Sequence, residues 1–317
     1  MASRSTPGSS SKNPDFPGSQ TPRILITGGS GLLGTGWAKA MRSNAEVILG
    51  IHRMKRVLAG TQPVKLELDS SAKFLALLKE TRPAVVVHAA GSASVDECEI
   101  NPSGAYRDNV QLAINVAKAA HQASVALIHI SSDHLFSGSQ SWIKENSQPG
   151  PLNVYGATKL EAEQRVRAEH PGALIVRTNF FGWAPTGRRS ISDWIIQGLR
   201  AGHTFNLFED VFFTPILIEA LARSAHELLA RGASGIVNLS GDERVSKYDF
   251  GIRLAEHFGL PTDLIYRSRL ADAKLVAPRP LEMSMDNGYA SRLLGRRLGS
   301  LDFFFSRLKV QEAENAR

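Results

Sequence analysis

Tyr155 and Lys159 stand four residues apart, and Ser132 closes an apolar run upstream of them. Residues i and i+4 share one face of a helix, so the Lys159 ammonium can sit beside the Tyr155 hydroxyl. A neighbouring ammonium favours phenolate and lowers the tyrosine pKa from its usual value of about 10. Tyr155 can then give a proton to a carbonyl oxygen near neutral pH. The run Ala126-Leu127-Ile128-His129-Ile130, followed by Ser131-Ser132-Asp133, reads as a buried strand ending in hydroxyls. The C-terminal ends of parallel strands border the ligand crevice of an open α/β sheet, which places Ser132 where it can bond the reacting oxygen. Ser131 either caps local backbone or lies along a cofactor.

Such a proton donor needs a hydride source, and the N-terminal region offers a place for one. Thr27-Gly28-Gly29-Ser30-Gly31-Leu32-Leu33-Gly34 follows the run Arg23-Ile24-Leu25-Ile26. Gly28 permits a tight turn, and Gly31 lets the backbone approach a pyrophosphate. Gly34 lets the helix opened by Leu32 and Leu33 pack close to the sheet. Free N–H groups at that helix start attract phosphate. The spacing is G-x-x-G-x-x-G rather than the commoner G-x-G-x-x-G. A dinucleotide held beside an acidified tyrosine implies hydride transfer.

The end of the second strand bears on which dinucleotide. Glu46-Val47-Ile48-Leu49-Gly50 reads as that strand, and Ile51-His52-Arg53 follows, with Lys55 and Arg56 beyond. NAD enzymes place a carboxylate here for the ribose 2′-hydroxyl. None is present, and Arg53 can pair bidentately with a 2′-phosphate. The expected cofactor is therefore NADPH, with NADH less favoured and with His52 and Arg53 among its contacts. A basic surface loop is the alternative.

Further elements must hold these groups in place. Strands are expected at 46–50, 64–68, 84–88, 126–130 and 173–177, alternating with helices at 32–42, 71–80, 104–120 and 155–169. This alternation with buried apolar strands predicts an α/β fold, a Rossmann-type doubly wound parallel sheet with a smaller C-terminal substrate lobe. Residues 1–22 are Ser-, Pro- and Gly-rich without the apolar core of a signal peptide, and read as a disordered tail. The dinucleotide domain is expected over 23–180, with later segments interleaved. The lobe is expected mainly over 181–310, with helices at 190–201, 216–230 and 246–258 and a strand at 235–239. A loose tail over 311–317 ends the chain.

Composition narrows the function classes. The 317 residues carry a net charge of +7, but the basic residues are scattered, with no RNA-binding aromatic motif among them. Neither nucleic acid nor a membrane is an expected partner, and an anionic cofactor with a diphosphate-linked sugar accounts for part of the charge. The single cysteine, Cys98, excludes an internal disulfide and suits a reducing cytoplasm. Nine histidines show no H-x-x-x-H spacing, so no zinc is expected. Mg²⁺ on a diphosphate stays open.

The chain resembles the extended short-chain dehydrogenases/reductases, and among them the dTDP-4-dehydrorhamnose reductase-like group. The resemblance rests on an ordered set over about residues 23–300. It comprises Thr27 to Gly34, Val85-Val86-Val87-His88-Ala89-Ala90, Val95-Asp96, Asp108-Asn109-Val110, Ser131 to Gly138, Pro151 to Tyr155, Val176-Arg177-Thr178 and Arg279-Pro280. It implies a catalytic group of Ser132, Tyr155 and Lys159, with Asn109 supporting a lysine relay through water. It implies cofactor contacts from Gly28, Gly31, Leu32, Leu33, Gly34, Ala89, Ala90, Gly91 and Ser131, besides Tyr155 and Lys159. Asp69 resembles an adenine-contacting position, or caps the helix that follows. The implied reaction is NADPH-dependent reduction of a nucleotide-linked 4-keto-6-deoxy sugar, with a homodimer left open.

On the sugar side the resemblance and the residue types together give Val95, Asp96, His134, Asn179, Trp183, Arg188, Phe213 and Arg279 as substrate candidates. Trp183 can stack on a ring, and Arg188 with Arg189 can meet a diphosphate. The bland alternatives are core packing for Trp183 and Phe213 and plain surface for the arginines. Asp96 and Glu99 face the substrate or pair with nearby bases. The family usually has Tyr at His134 and Thr at Ile216, and a Thr near Ala93 and Ser94 is missing. These departures all border the sugar pocket. Two other readings stay open: an epimerase or dehydratase that retains NAD, and a non-catalytic subunit. The latter resembles the regulatory β subunit of methionine adenosyltransferase, to which Ser246-Lys247-Tyr248-Asp249-Phe250 is similar.

Overall fold

The computed structural model describes residues 21–51, 58–185 and 190–315. His52, Arg53, Lys55, Arg56, Arg188 and Arg189 lie outside the described residues. Six strands lead the central sheet: β1 (Arg23–Thr27), β2 (Glu46–Ile51), β3 (Thr61–Lys65), β4 (Val85–His88), β5 (Ala126–Ile130) and β6 (Leu174–Arg177). With the later strand Gly235–Asn238 they form a seven-stranded sheet in the order β3-β2-β1-β4-β5-β6-Gly235–Asn238. Every neighbouring pair is parallel. The chain winds outward in both directions from β1, and the crevice of such a sheet opens where the winding reverses, between β1 and β4.

Both faces are covered, which is why the strands read as continuous apolar runs. On one face Leu25, Ile48, Val86, Leu127 and Ile175 pack with residues of α2 (Ser71–Thr81), α5 (Leu112–Gln122) and α6 (Val154–Glu169). On the other, Ile24, Ile26, Val87, Ile128 and Val176 pack with α1 (Leu32–Met41) and α8 (Ile218–Ala230). The short helices α3 (Val95–Ile100) and α4 (Pro102–Tyr106) run into a π-helical turn at Arg107–Gln111 that leads straight into α5.

The remaining elements are α7 (Ile191–Arg200), α9 (Lys247–Phe258), α10 (Gly288–Leu294) and α11 (Leu301–Asn315), with several two- to four-residue strands. Phe212–Phe213 lies between Val245–Ser246 and Glu282–Met283. Phe250 of α9 meets Phe181 and Phe213 edge-on at 5.2 and 5.5 Å, so an aromatic cluster ties α9 to the short strands Phe180–Phe181 and Phe212–Phe213. Among the described residues no helix is long and apolar enough to cross a membrane.

Four elements differ from the sequence expectation. The third strand runs over Thr61–Lys65, not 64–68, because its pairing with β2 begins at Thr61. Pro63 is tolerated there because β3 is the sheet edge, where a missing N–H costs no ladder bond. Leu66 and Leu68 are buried, but in the loop beyond the strand. The helix expected over 104–120 is interrupted by the π turn, an insertion that periodicity does not reveal. Residues 216–230 and 235–239, read as pieces of the lobe, instead complete the central layers: α8 packs beside α1, and Gly235–Asn238 pairs with β6.

Candidate active site

The phosphate cradle is built by close backbone packing. Gly28 has φ +69°, and a Cβ there would lie 2.8 Å from the Ala89 carbonyl oxygen. A Cβ on Gly34 would lie 2.4 Å from the Gly28 oxygen, so α1 can start only with glycine at this point. The Thr27 hydroxyl accepts the Ala89 and Ala90 N–H groups at 3.2 and 3.1 Å, tying the end of β1 to the loop after β4. Gly31 caps α1 without any side-chain hydrogen bond, which leaves the first amides of the helix, from Leu32 and Leu33 onward, directed outward. This tight turn followed by uncapped amides fits a dinucleotide pyrophosphate.

The catalytic candidates meet at the C-terminal edge of β5. Asn153 caps α6 by accepting the Gly156 N–H at 2.8 Å, and Glu99 accepts the Val154 N–H at 2.9 Å. A Cβ on Gly156 would come within 2.3 Å of the His134 carbonyl, so the first turn of α6 lies directly on the loop after β5. Tyr155 is thereby brought against His134, ring centroids 5.5 Å apart, and shares a hydrogen bond with Ser132. Ser132 is buried, donates to Asp133 at 3.2 Å and accepts the His134 N–H. Lys159, one turn along α6, donates to the Ile130 carbonyl at 2.6 Å.

Asn109 sits in the π turn. Its oxygen accepts the Ser92 N–H at 2.9 Å, and its amide donates to Thr158 at 3.1 Å. It therefore reaches α6 beside Lys159 by a direct bond. Gly91, at φ +156°, keeps clear the space that the Asn109 oxygen needs.

The expected acidification of Tyr155 by Lys159 is not what the structure shows. Burial pushes the Tyr155 phenol up to about 12; the Ser132 hydrogen bond opposes this and the Asp133 charge adds to it. Burial pushes Lys159 down to about 8, against the pull of Glu163. The reason is desolvation, which penalises both charged forms. Tyr155 is thus a neutral phenol at ordinary pH.

Several groups escaped the sequence reading. Glu163 and Arg177 form a bidentate pair at 2.9 and 2.7 Å, both side chains 2% exposed, which locks α6 to β6. Glu163 lies one further turn from Lys159, so its spacing was a usable signal. His88 and His129 stack at 5.4 Å across paired strands. Burial, then the Lys159 charge, pushes both down, His88 to about 3, so neutral rings flank the lysine. Asp133 is buried and accepts from Asn179 and Ser132.

On the sugar side the candidates divide. Asp96 and Arg279 pair with each other at 2.9 Å, and Asp96 also accepts the Ala277 N–H. That backbone bond, helped by Arg279, holds the Asp96 carboxyl below its ordinary value against a modest burial penalty. His134 and Asn179 border the catalytic group, and Val95 opens α3. Phe213 is fully buried beneath Lys247, whose Nζ lies 3.2 Å from the ring centroid. Trp183 is committed to packing: its indole N–H donates to the Leu308 carbonyl at 2.8 Å and its ring meets Phe258. Glu99 pairs with backbone rather than a base. Asp69 is exposed, and Ser70 is the cap of α2, so Asp69 does not have that role. Ser131 is buried and its N–H donates to the Val176 carbonyl.

The comparisons with known proteins agree with this geometry. A family model described as the RmlD substrate binding domain matches residues 22–300. A probable low-salt glycan biosynthesis reductase, Agl14 of Haloferax volcanii, is 30% identical over 83% of this chain and 89% of its own length. The methionine adenosyltransferase 2 subunit beta of Bos taurus is also 30% identical, over 83% of this chain and 80% of its own. A hypothetical dTDP-4-dehydrorhamnose reductase from Sulfolobus tokodaii superposes with a TM-score of 0.77 at 29% identity, over 89% of this chain and 98% of its own. The dTDP-4-dehydrorhamnose reductase of Bacillus anthracis in complex with NADP shares the fold, with a TM-score of 0.81 at 22% identity over 92% and 100% of the two chains.

Proposed function

We propose that this chain, which belongs to the RmlD substrate binding domain family, acts as its NAD(P)-dependent reductases do and reduces the keto group of a nucleotide-linked 4-keto-6-deoxy sugar with NADPH. The observation that carries this reading is the meeting of Tyr155, Ser132 and Lys159 at the crevice beside the glycine cradle.

The residues divide the work as follows. Gly28, Gly31, Leu32, Leu33 and Gly34 hold the pyrophosphate, with Ala89, Ala90, Gly91 and Ser131 along the dinucleotide. A bound nicotinamide supplies the hydride. Tyr155, a neutral phenol, gives its proton to the oxygen that becomes the alcohol. Ser132, positioned by the His134 N–H, would hold that oxygen by turning to it the one hydroxyl proton that it otherwise gives to Asp133. Lys159, fixed by the Ile130 carbonyl, would hold the nicotinamide ribose with its ammonium. Asp96, His134, Asn179 and Arg279 border the sugar.

The test is a coupled measurement of turnover. With a dTDP-4-keto-6-deoxyhexose, the protein should release NADP⁺ in step with alcohol formed, and faster with NADPH than with NADH. An epimerase or dehydratase would recycle a retained NAD and release none. The identity to methionine adenosyltransferase subunits favours a second reading, a binding subunit. Co-purification with a partner enzyme, with no keto-sugar turnover, would support it instead.

A further inference from the structure

Thr27, His88 and His129 stand side by side on β1, β4 and β5, Thr27 opposite His88 and His88 opposite His129. All three are sealed from solvent, at 0, 2 and 1% exposure. Two residues earlier on each strand, Leu25, Val86 and Leu127 face the same way, into the packing of α2, α5 and α6. The Thr27 hydroxyl accepts the Ala89 and Ala90 N–H groups, which uses both of its lone pairs. Its proton is left for His88 Nδ1, 2.9 Å away. His88 therefore carries its own proton on Nε2 and is neutral. Burial, which pushes His88 down to about 3, keeps it so. Among the described residues His88 Nε2 has no hydrogen-bond partner, and neither nitrogen of His129 has one. The two rings stack at 5.4 Å with 28° between their planes, an arrangement that aims no N–H of one at the other.

Two neutral imidazoles thus leave two N–H donors and one acceptor to be met. An unpartnered buried donor or acceptor is costly, and native proteins satisfy nearly all of them. The chemistry of the rings narrows what can meet these. A metal ion finds no lone pair on His88, because one nitrogen takes the Thr27 proton and the other holds its own. An anion would meet the two donors but repel the His129 lone pair. Water accepts and donates, and a buried water usually makes about three hydrogen bonds. A third partner stands close by. Ile130 follows His129, and its carbonyl takes one proton of the Lys159 ammonium at 2.6 Å. Two ammonium protons remain, and the Lys159 charge acts on both rings. Besides the imidazoles, the titratable groups around Lys159 are Tyr155 and Glu163, one turn to either side on α6, with Arg177 paired to Glu163.

We propose that His88 and His129 enclose an internal water that solvates the Lys159 ammonium from within the protein, with Thr27 fixing the His88 tautomer. The two histidines are then positioning residues, acting on the lysine through the water and touching no substrate. The water site stands whether or not a keto sugar is reduced, so its test uses no turnover. The whole chain, isotope-labelled at the histidine ring nitrogens and the lysine side-chain ends, is followed by NMR. In wild type His88 should show the Nε2–H form alone, and both rings should exchange magnetisation with a long-lived water. Lys159 should titrate near pH 8, and Lys247→Met removes the other lysine signal expected there. Thr27→Val should release the tautomer, so that Nδ1–H appears on His88. His129→Leu should abolish the water contact and lower the Lys159 midpoint by about 1 pH unit, because the ammonium loses a solvating oxygen. His129→Gln, which keeps a donor and an acceptor, should restore most of that shift. Circular dichroism checks that each variant is folded; if His129→Leu is not, the wild-type spectra and Thr27→Val decide. A wild-type His88 protonated on Nδ1, rings without a water contact, or an equal Lys159 midpoint in wild type and folded His129→Leu would each overturn the site.

Discussion

The two ends of the crevice are held by different forces. At the cofactor end the contacts are backbone against backbone: Gly28 against Ala89, Gly34 against Gly28, and the Thr27 hydroxyl on two amides. At the sugar end they are side chains in charged or hydrogen-bonded pairs, Asp96 with Arg279, Asp133 with Asn179, and Lys247 over Phe213. Backbone packing leaves no room for change without moving a strand. A charged pair can be altered by one substitution while the fold stays intact. The first end therefore suits a ligand shared by a whole family, and the second suits a ligand that varies within it.

Variants at the two ends and between them can break or sharpen this contrast. Tyr155→Phe removes the proton donor where the ends meet. Turnover should fall by about 10²–10⁴-fold while NADPH affinity stays as in wild type. Steady-state kinetics and a fluorescence titration would separate the two. Glu163→Gln leaves the Arg177 guanidinium buried without its counter-charge. It should cost about 3–5 kcal/mol in urea unfolding, whereas a loss below about 1 kcal/mol would mean that the pair is not the lock between α6 and β6.

Gly34→Ala forces a methyl against the Gly28 carbonyl and should destabilise the fold by about 1–3 kcal/mol. NADPH affinity should fall with it, and KM for the keto sugar should not. Arg279→Gln should do the reverse, raising KM for the sugar by about 10-fold with NADPH binding unaltered. If both variants moved both constants equally, the two ends would not be separable.

The smallest effect is one of pH. Tyr155 keeps its proton until about 12, so the groups that titrate first are Lys159 and Lys247, both at about 8, and a Lys247→Met variant separates the contribution of Lys159. kcat/KM for reduction should be level below pH 8 and fall above it as Lys159 loses its charge. Stability should move the other way. The folded pKa of Lys159 lies below its ordinary 10.5, so folding opposes its charge. That penalty is complete below about pH 8 and disappears as pH rises from 8 to 10.5. A kcat/KM profile that breaks only near pH 10 would point to an acidified tyrosine instead.

This contrast also decides what the sequence revealed. The cradle was legible because its glycines stand at fixed spacing in one short segment, and the sheet because buried parallel strands are apolar runs. Tyr155 and Lys159 were legible because one helix carries both. The tuning of that tyrosine was not, since desolvation depends on everything packed around it and spacing counts only the nearest charge. Asp133 with Asn179, Asp96 with Arg279, and Lys247 over Phe213 join residues far apart in the chain, so no local pattern announces them. The π turn that carries Asn109 was hidden for a related reason: one inserted residue leaves helical periodicity almost unchanged.

Isotope transfer tests the central claim most directly. NADPH deuterated at the transferable position of the nicotinamide would be mixed with the protein and a dTDP-4-keto-6-deoxyhexose, and the sugar product weighed by mass spectrometry. Direct reduction predicts one deuterium at the new carbinol carbon for each NADP⁺ formed. An unlabelled sugar, or a cofactor left unconsumed while the sugar is changed, would contradict it.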